Sequence, residues 1–192
     1  YLWWDENPLI AADEIALPGG HNRENAMAAA AVTLARGLDP VTVAEGLRTF
    51  RGVAHRLELV AEKGGVKYVN DSKATNVAST TVALSAFPGG IHLIAGGRGK
   101  NQDFSPLKAP VSERCRAVYL VGEAADEIAD ALAGAGVTLY RVGDLEHAIA
   151  RARAAARPQE VVLLSPACTS YDQYPDFEAR GDHFRTLVEA QA

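Results

Sequence analysis

The stretch "GGVKYVNDSKATNVAST", residues 64–80, decides the fold. Gly64-Gly65 make a turn, "VKYV" is a short apolar run of strand type, and "NDSKATN" places six polar side chains in seven positions before a helix-forming segment. A strand that empties into a polar loop and then a helix is the unit from which parallel α/β sheets are built. Working back, "LELVAEK" (57–63) reads as a strand joined to the first through Lys63-Gly64-Gly65, so this pair is expected to be antiparallel. Working forward, helix is expected over about 74–87, strand at "IHLIAGG" (91–97), a short helix from Ser105-Pro106 and strand at "RAVYLVG" (116–122). Then come helix at "AADEIADALAGAG" (124–136), strand at "VTLYRVG" (137–143), helix after an Asp144 cap (145–156), strand at "EVVLLSPA" (160–167) and helix at 177–192. The alternation predicts an α/β, Rossmann-like, six-stranded and mostly parallel sheet with one antiparallel strand and helices on both faces.

The segment ahead of the sheet differs. Residues 1–17 read as extended, Pro18-Gly19-Gly20 as a loop, and "ENAMAAAAVTLARG" (24–37) as a helix stopped by Gly37. Asp39-Pro40 supplies an N-cap and first residue for a second helix, and Gly52 ends the pair. A boundary at 52/53 therefore divides the chain.

Composition narrows the class. With 48% hydrophobic residues among 192, the chain has material for a sizeable core. A net charge of −5 without a basic block argues against nucleic acid, while a nucleotide needs only local donors. No run reaches the roughly 18 apolar residues of a membrane span. Cys115 and Cys168 are too few for a disulfide framework and read as free thiols of a reducing compartment. The N-terminus has neither an initiator Met nor a signal peptide, so a processed or partial chain is expected.

In an open parallel sheet, ligands gather at the carboxyl ends of the strands. Those ends carry "NDSKATN" (70–76), "AGGRGKNQDF" (95–104), "VGEAAD" (121–126) and "LSPACTSYDQYPDFEARG" (164–181). Asp71, Ser72 and Thr75 have two readings: simple caps of the next helix, or donors and acceptors for a ligand. Lys73 favours the second, since a cation at a helix N-terminus opposes the dipole unless an anion lies between. "GGRGK" (96–100) is not a phosphate-binding P-loop, because Ile94 and Asn101 stand where Gly and Ser/Thr are needed. It reads either as a solvated turn or as a clamp presenting Arg98 and Lys100 to a carboxylate or phosphate. No G-x-G-x-x-G is present, which disfavours a nicotinamide enzyme. Cys168 as a nucleophile is the weaker reading, since buried free cysteines are usually inert. The five histidines show no metal-ligand spacing. His147 and His183 read as surface residues and His92 as a satisfied core residue, whereas His21 and His55 lie in loops beside Asn22 and Arg56.

Taken in order, "GGHNRENAMAAAA" (19–31), "FRGVAHRLE" (50–58), "VNDSKATN" (69–76), "GGRGKNQDF" (96–104) and "LLSPACTSYDQYPDFEARGDHF" (163–184) resemble the Mur ligases of bacterial cell-wall synthesis. The pair "NDSKATN" and "SPACTSYDQ" resembles the member that adds D-glutamate. The resemblance implies a cytoplasmic, ATP-driven amide synthesis serving peptidoglycan, cell shape and division. In it, ATP phosphorylates the carboxylate of UDP-N-acetylmuramoyl-L-alanine and the amine of D-glutamate displaces phosphate. It implies that residues 1–52 are the remnant of a central ATP-binding domain and 53–192 the C-terminal domain. The magnesium ligands and the phosphate-gripping loop are then expected outside this chain, which is expected to be inactive alone, while the full-length enzyme is expected to be a monomer. By the same resemblance Asn25, Arg56, Asp71 and Lys73 fall at the nucleotide, and Thr75, Lys100, Ser170, Tyr171 and Phe177 at D-glutamate. The family often has an aliphatic residue where Tyr171 stands. The alternatives are a non-catalytic nucleotide- or amino-acid-binding module on the same scaffold, or a sister ligase for another amino acid.

Overall fold

The structure, a computed structural model, describes residues 1–17 and 19–190. Pro18, the His21 side chain and the last two residues of the expected final helix lie outside the described residues. The chain divides into two compact units, residues 1–52 and 53–192.

In the first unit, β1 (Leu2–Trp4) pairs antiparallel with β2 (Asn7–Ile10). Helix α1 (Gly20–Ala35) begins earlier than the glycine pair suggested, and α2 (Pro40–Thr49) starts as expected, with the Asp39 carboxylate accepting from the Thr42 N–H at 3.0 Å. Leu2, Ile10, Ile15, Ala26 and Ala44 form a small core, and Ala30, Leu34 and Val43 a second.

The second unit is the α/β sheet. Its strands are β3 (Glu58–Lys63), β4 (Val66–Asn70), β5 (Ile91–Gly96), β6 (Cys115–Val121), β7 (Thr138–Gly143) and β8 (Val161–Leu164). They lie in the order β3-β4-β8-β5-β6-β7, with only the β3–β4 pairing antiparallel. Side chains alternate across the sheet. Val69, Leu93, Val118 and Leu163 face one way, onto α3 (Val77–Ser85), α4 (Lys108–Arg114) and α5 (Ala125–Ala131). Tyr68, Ile94, Tyr119 and Leu164 face the other, onto α6 (Leu145–Ala155) and α7 (Phe177–Glu189). Asp144 caps α6 through the His147 N–H and Asp176 caps α7 through the Ala179 N–H.

Helix α3 corrects the sequence reading. It starts at Val77 rather than near 74, and its cap is Asn76, whose side chain accepts from the Ser79 N–H at 2.9 Å. Asp71, Ser72 and Thr75 do not cap it. His183 is a second correction: it is half-buried and bonded to the Tyr174 hydroxyl at 2.8 Å. His92 is a satisfied core residue, held between Tyr119 and Glu160.

Candidate functional site

Because β4, β8 and β5 are parallel neighbours, the loops leaving their carboxyl ends must lie side by side. Specific bonds lock them together. Asn70, wholly buried at the end of β4, accepts from the Ser72 N–H at 3.1 Å and sets its amide nitrogen 3.0 Å from His55 Nδ1 and 3.2 Å from the Gly181 carbonyl. Ser72 Oγ donates to the Phe177 carbonyl at 2.8 Å and accepts from Arg180 Nε at 2.9 Å. Arg180 Nη2 also bonds the carbonyls of Ser72 and Cys168. Between the β5 and β8 loops, Arg98 and Thr169 exchange two backbone bonds of 3.0 and 3.1 Å.

Asp71 is 5% exposed. Its Oδ1 accepts from the Leu57 N–H at 3.1 Å and its Oδ2 from Ser165 Oγ at 2.8 Å. Both carboxylate oxygens thus already serve the protein, although each keeps a spare lone pair. Burial pushes the Asp71 carboxyl up to about 6, against the lowering pull of Ser165, the Leu57 amide and the Arg56 charge. Its folded value lies above the unfolded one, so the folded state binds the proton more tightly. Stability therefore falls as pH rises through the interval from about 4 to 6, and the cost is complete above it. At about 1.36 kcal/mol per unit, the fall is about 3 kcal/mol. Urea unfolding from pH 4 to 7.5 is expected to show this slope in the wild-type chain and to lose it in Asp71→Asn; parallel curves would rule out Asp71 as its source.

The remaining sequence-predicted residues sort as follows. Arg56 is exposed beside Asp71, and Lys73 is exposed with its ammonium 3.8 Å above the Phe177 ring. Phe177 meets His55 edge-on at 5.9 Å. Lys73 therefore has an aromatic partner of its own, and its place near a helix start does not by itself call for an anion. Thr75 is half-buried, Lys100 exposed, Ser170 buried and Tyr171 62% exposed. Arg98 does not join Lys100 in a clamp; its guanidinium makes a two-point pair with Glu123 at 3.0 and 3.1 Å. Asn25 lies exposed on α1 in the first unit.

Burial pushes the Cys168 thiol up to about 12, so a thiolate nucleophile is disfavoured; Cys115 is also buried and raised to about 12. A groove in the first unit is lined by apolar residues including Trp4, Pro8, Pro40 and Val41, and by Asp5, Asn7 and Arg48. Sequence reading missed Ser165 and Arg180. The hydroxyl-rich composition after β8 was a usable signal for Ser165. Nothing in the sequence marks Arg180 as 3% exposed.

Residues 55–168 match the Mur ligase, glutamate ligase domain family. A UDP-N-acetylmuramoylalanine–D-glutamate ligase from Acidobacterium capsulatum is 48% identical over 183 residues, covering 95% of this chain and 40% of the relative. One from Marinobacter nauticus is 46% identical over 192 residues, covering 98% and 43%. The chain thus spans about two fifths of the length of these relatives. Among solved structures, a UDP-N-acetylmuramate-alanine ligase from Thermotoga maritima has a TM-score of 0.68 at 20% identity, covering 92% of this chain and 39% of that one. A Mycobacterium tuberculosis folylpolyglutamate synthase complexed with ADP has 0.65 at 17%, covering 88% and 41%. These two share the fold. Sheet order, the loop cluster and the match over residues 55–168 together place this chain in the Mur ligase family.

Proposed function

We propose that this chain is part of an ATP-dependent amide ligase that adds D-glutamate to UDP-N-acetylmuramoyl-L-alanine in the cytoplasm, and that residues 53–192 hold the amino acid and one side of the nucleotide. The observation that carries the reading is the meeting of the loops that follow β4, β5 and β8 at one end of the sheet, loops whose sequences carry Lys73, Thr75, Lys100 and Ser170. The D-glutamate-ligase relatives and the match to a glutamate ligase domain support it.

In this reading Lys100 offers a full charge to one carboxylate of D-glutamate, Thr75 and Ser170 offer hydroxyl donors, and Phe177 and Tyr171 offer ring surface. Arg56 and Lys73 face the phosphates and Asp71 offers its spare lone pairs to the ribose, and residues 1–52, which carry Asn25, are the end of a central ATP-binding domain. ATP transfers its γ-phosphoryl group to the substrate carboxylate. The amine nitrogen then attacks the acyl carbon, the carbon–oxygen bond to phosphate breaks, and the nitrogen gives up a proton. Excluding water protects the acyl phosphate from hydrolysis. Among the described residues no three His, Cys, Asp or Glu side chains are grouped as a metal would need.

The 192-residue chain alone is expected to form no product, whereas the full-length ligase is. In the full-length ligase, Lys100→Ala is expected to weaken D-glutamate use by about 1.5–3 kcal/mol, the worth of a charged hydrogen bond. Steady-state kinetics over a panel of amino acids checks both: an unchanged KM for D-glutamate removes Lys100 from the site, and preference for another amino acid overturns the substrate.

A further inference from the structure

Gln102 has no place in the site so far, yet it bonds both loops that flank its own. Its Oε1 accepts from the Val77 N–H at 3.2 Å, and its Nε2 donates to the Ala167 carbonyl at 2.7 Å. Val77 is the first residue of α3, where a backbone N–H has no partner inside the helix. Ala167 is a non-glycine residue at φ 58°, so the chain there is held in a strained turn. The half-buried amide therefore satisfies one orphan donor and steadies one unfavourable turn at once. Its reach spans the cluster: Gln102 stands two residues from Lys100, Val77 two from Thr75, and Ala167 three from Ser170.

We infer that Gln102 is a positioning residue for the amino-acid pocket, fixing the separation of Thr75, Lys100 and Ser170 without touching the substrate. This rests on the D-glutamate reading above. Only an amide of this length accepts at one end and donates at the other. In Q102E the ionised carboxylate still accepts from Val77 but faces the Ala167 carbonyl with no proton to give, and Q102M gives up both bonds.

The test is steady-state kinetics of the full-length ligase. Q102E at pH 8 is expected to raise KM for D-glutamate about tenfold, the equivalent of one lost hydrogen bond, with KM for ATP within about twofold of wild type. Q102M, which gives up both bonds, is expected to raise KM for D-glutamate further, again with KM for ATP within about twofold of wild type. A D-glutamate KM unchanged in Q102E and Q102M, or a parallel rise in both KM values, would overturn the inference. Should Q102M fail to fold, the split between the two KM values in Q102E decides alone. If the wild-type ligase itself does not use D-glutamate, the functional reading fails first, and that result is separate from any comparison of variants.

Discussion

Gly97→Ala is expected to destabilise the sheet unit by about 3 kcal/mol or more and to abolish ligation in the full-length enzyme. Gly97 sits at φ 127°, a region closed to side chains, and an added methyl would land on the Thr169 carbonyl oxygen, 3.2 Å from both Cys168 Cβ and Arg180 Nη1. Overpacking costs about 1–3 kcal/mol and the backbone strain adds about 1–2 kcal/mol. None of the three neighbours can yield cheaply. The Thr169 carbonyl is the acceptor in the bond that docks the β8 loop on Arg98, and Arg180 is anchored on Ser72 and Cys168. The adjustment would therefore fall on the Arg98–Thr169 junction, three residues or fewer from Lys100 and Ser170. Chemical denaturation of residues 53–192 measures the loss; a change below about 1 kcal/mol would mean the loops slide past one another freely.

Asn70→Leu is expected to be nearly as costly, at about 3 kcal/mol, for a different reason. The side chain is wholly buried and of similar size to leucine, so no cavity opens. What is lost is polar satisfaction. The Ser72 N–H is left a buried orphan, at about 1–3 kcal/mol, and the Gly181 carbonyl, still an acceptor within α7, loses a second donor. Asn70→Asp separates the two halves of the effect. It keeps the acceptor for Ser72 but places a second carboxylate beside Glu58, whose Oε2 lies 3.3 Å from the amide nitrogen. Measured against wild type at each pH, the denaturant midpoints of both variants should fall, with the Asp deficit shrinking as pH drops and the Leu deficit staying constant. Indifference in both would show that Ser72 and Gly181 find other partners.

The sheet was legible because its signals are local. Apolar runs bounded by glycine, an aspartate before each of α2 and α6, and a two-glycine return between β3 and β4 act within a few residues. The convergence of loops followed from strand order alone. The start of α3 was not legible, because Asp71, Ser72, Thr75 and Asn76 are nearly equal as caps. The choice falls to Asn76 only because Leu57 and Ser165 claim Asp71, while Phe177 and Arg180 claim Ser72. Those partners are 14 to 108 residues away along the chain. Lys73 and Arg98 were read as free cations for the same reason, since Phe177 and Glu123 are distant in sequence. Gln102 escaped notice because a polar residue in a glycine loop looks like a solvated one.

The outer strand β3 has a further consequence for how copies of this protein behave in a crowded cell. Its free side would template another strand if it were flat and bare. Instead its register slips between Leu59 and Ala61, Glu58 is pinned by Arg185 at 2.7 Å, and Lys63 reaches the Val188 carbonyl at 2.7 Å. Helix α7 is thereby tied to the margin, while the carbonyl of its first residue, Phe177, accepts from Ser72 in the loop after β4. The tie leaves the edge irregular and charged, which disfavours pairing with the same strand of another copy.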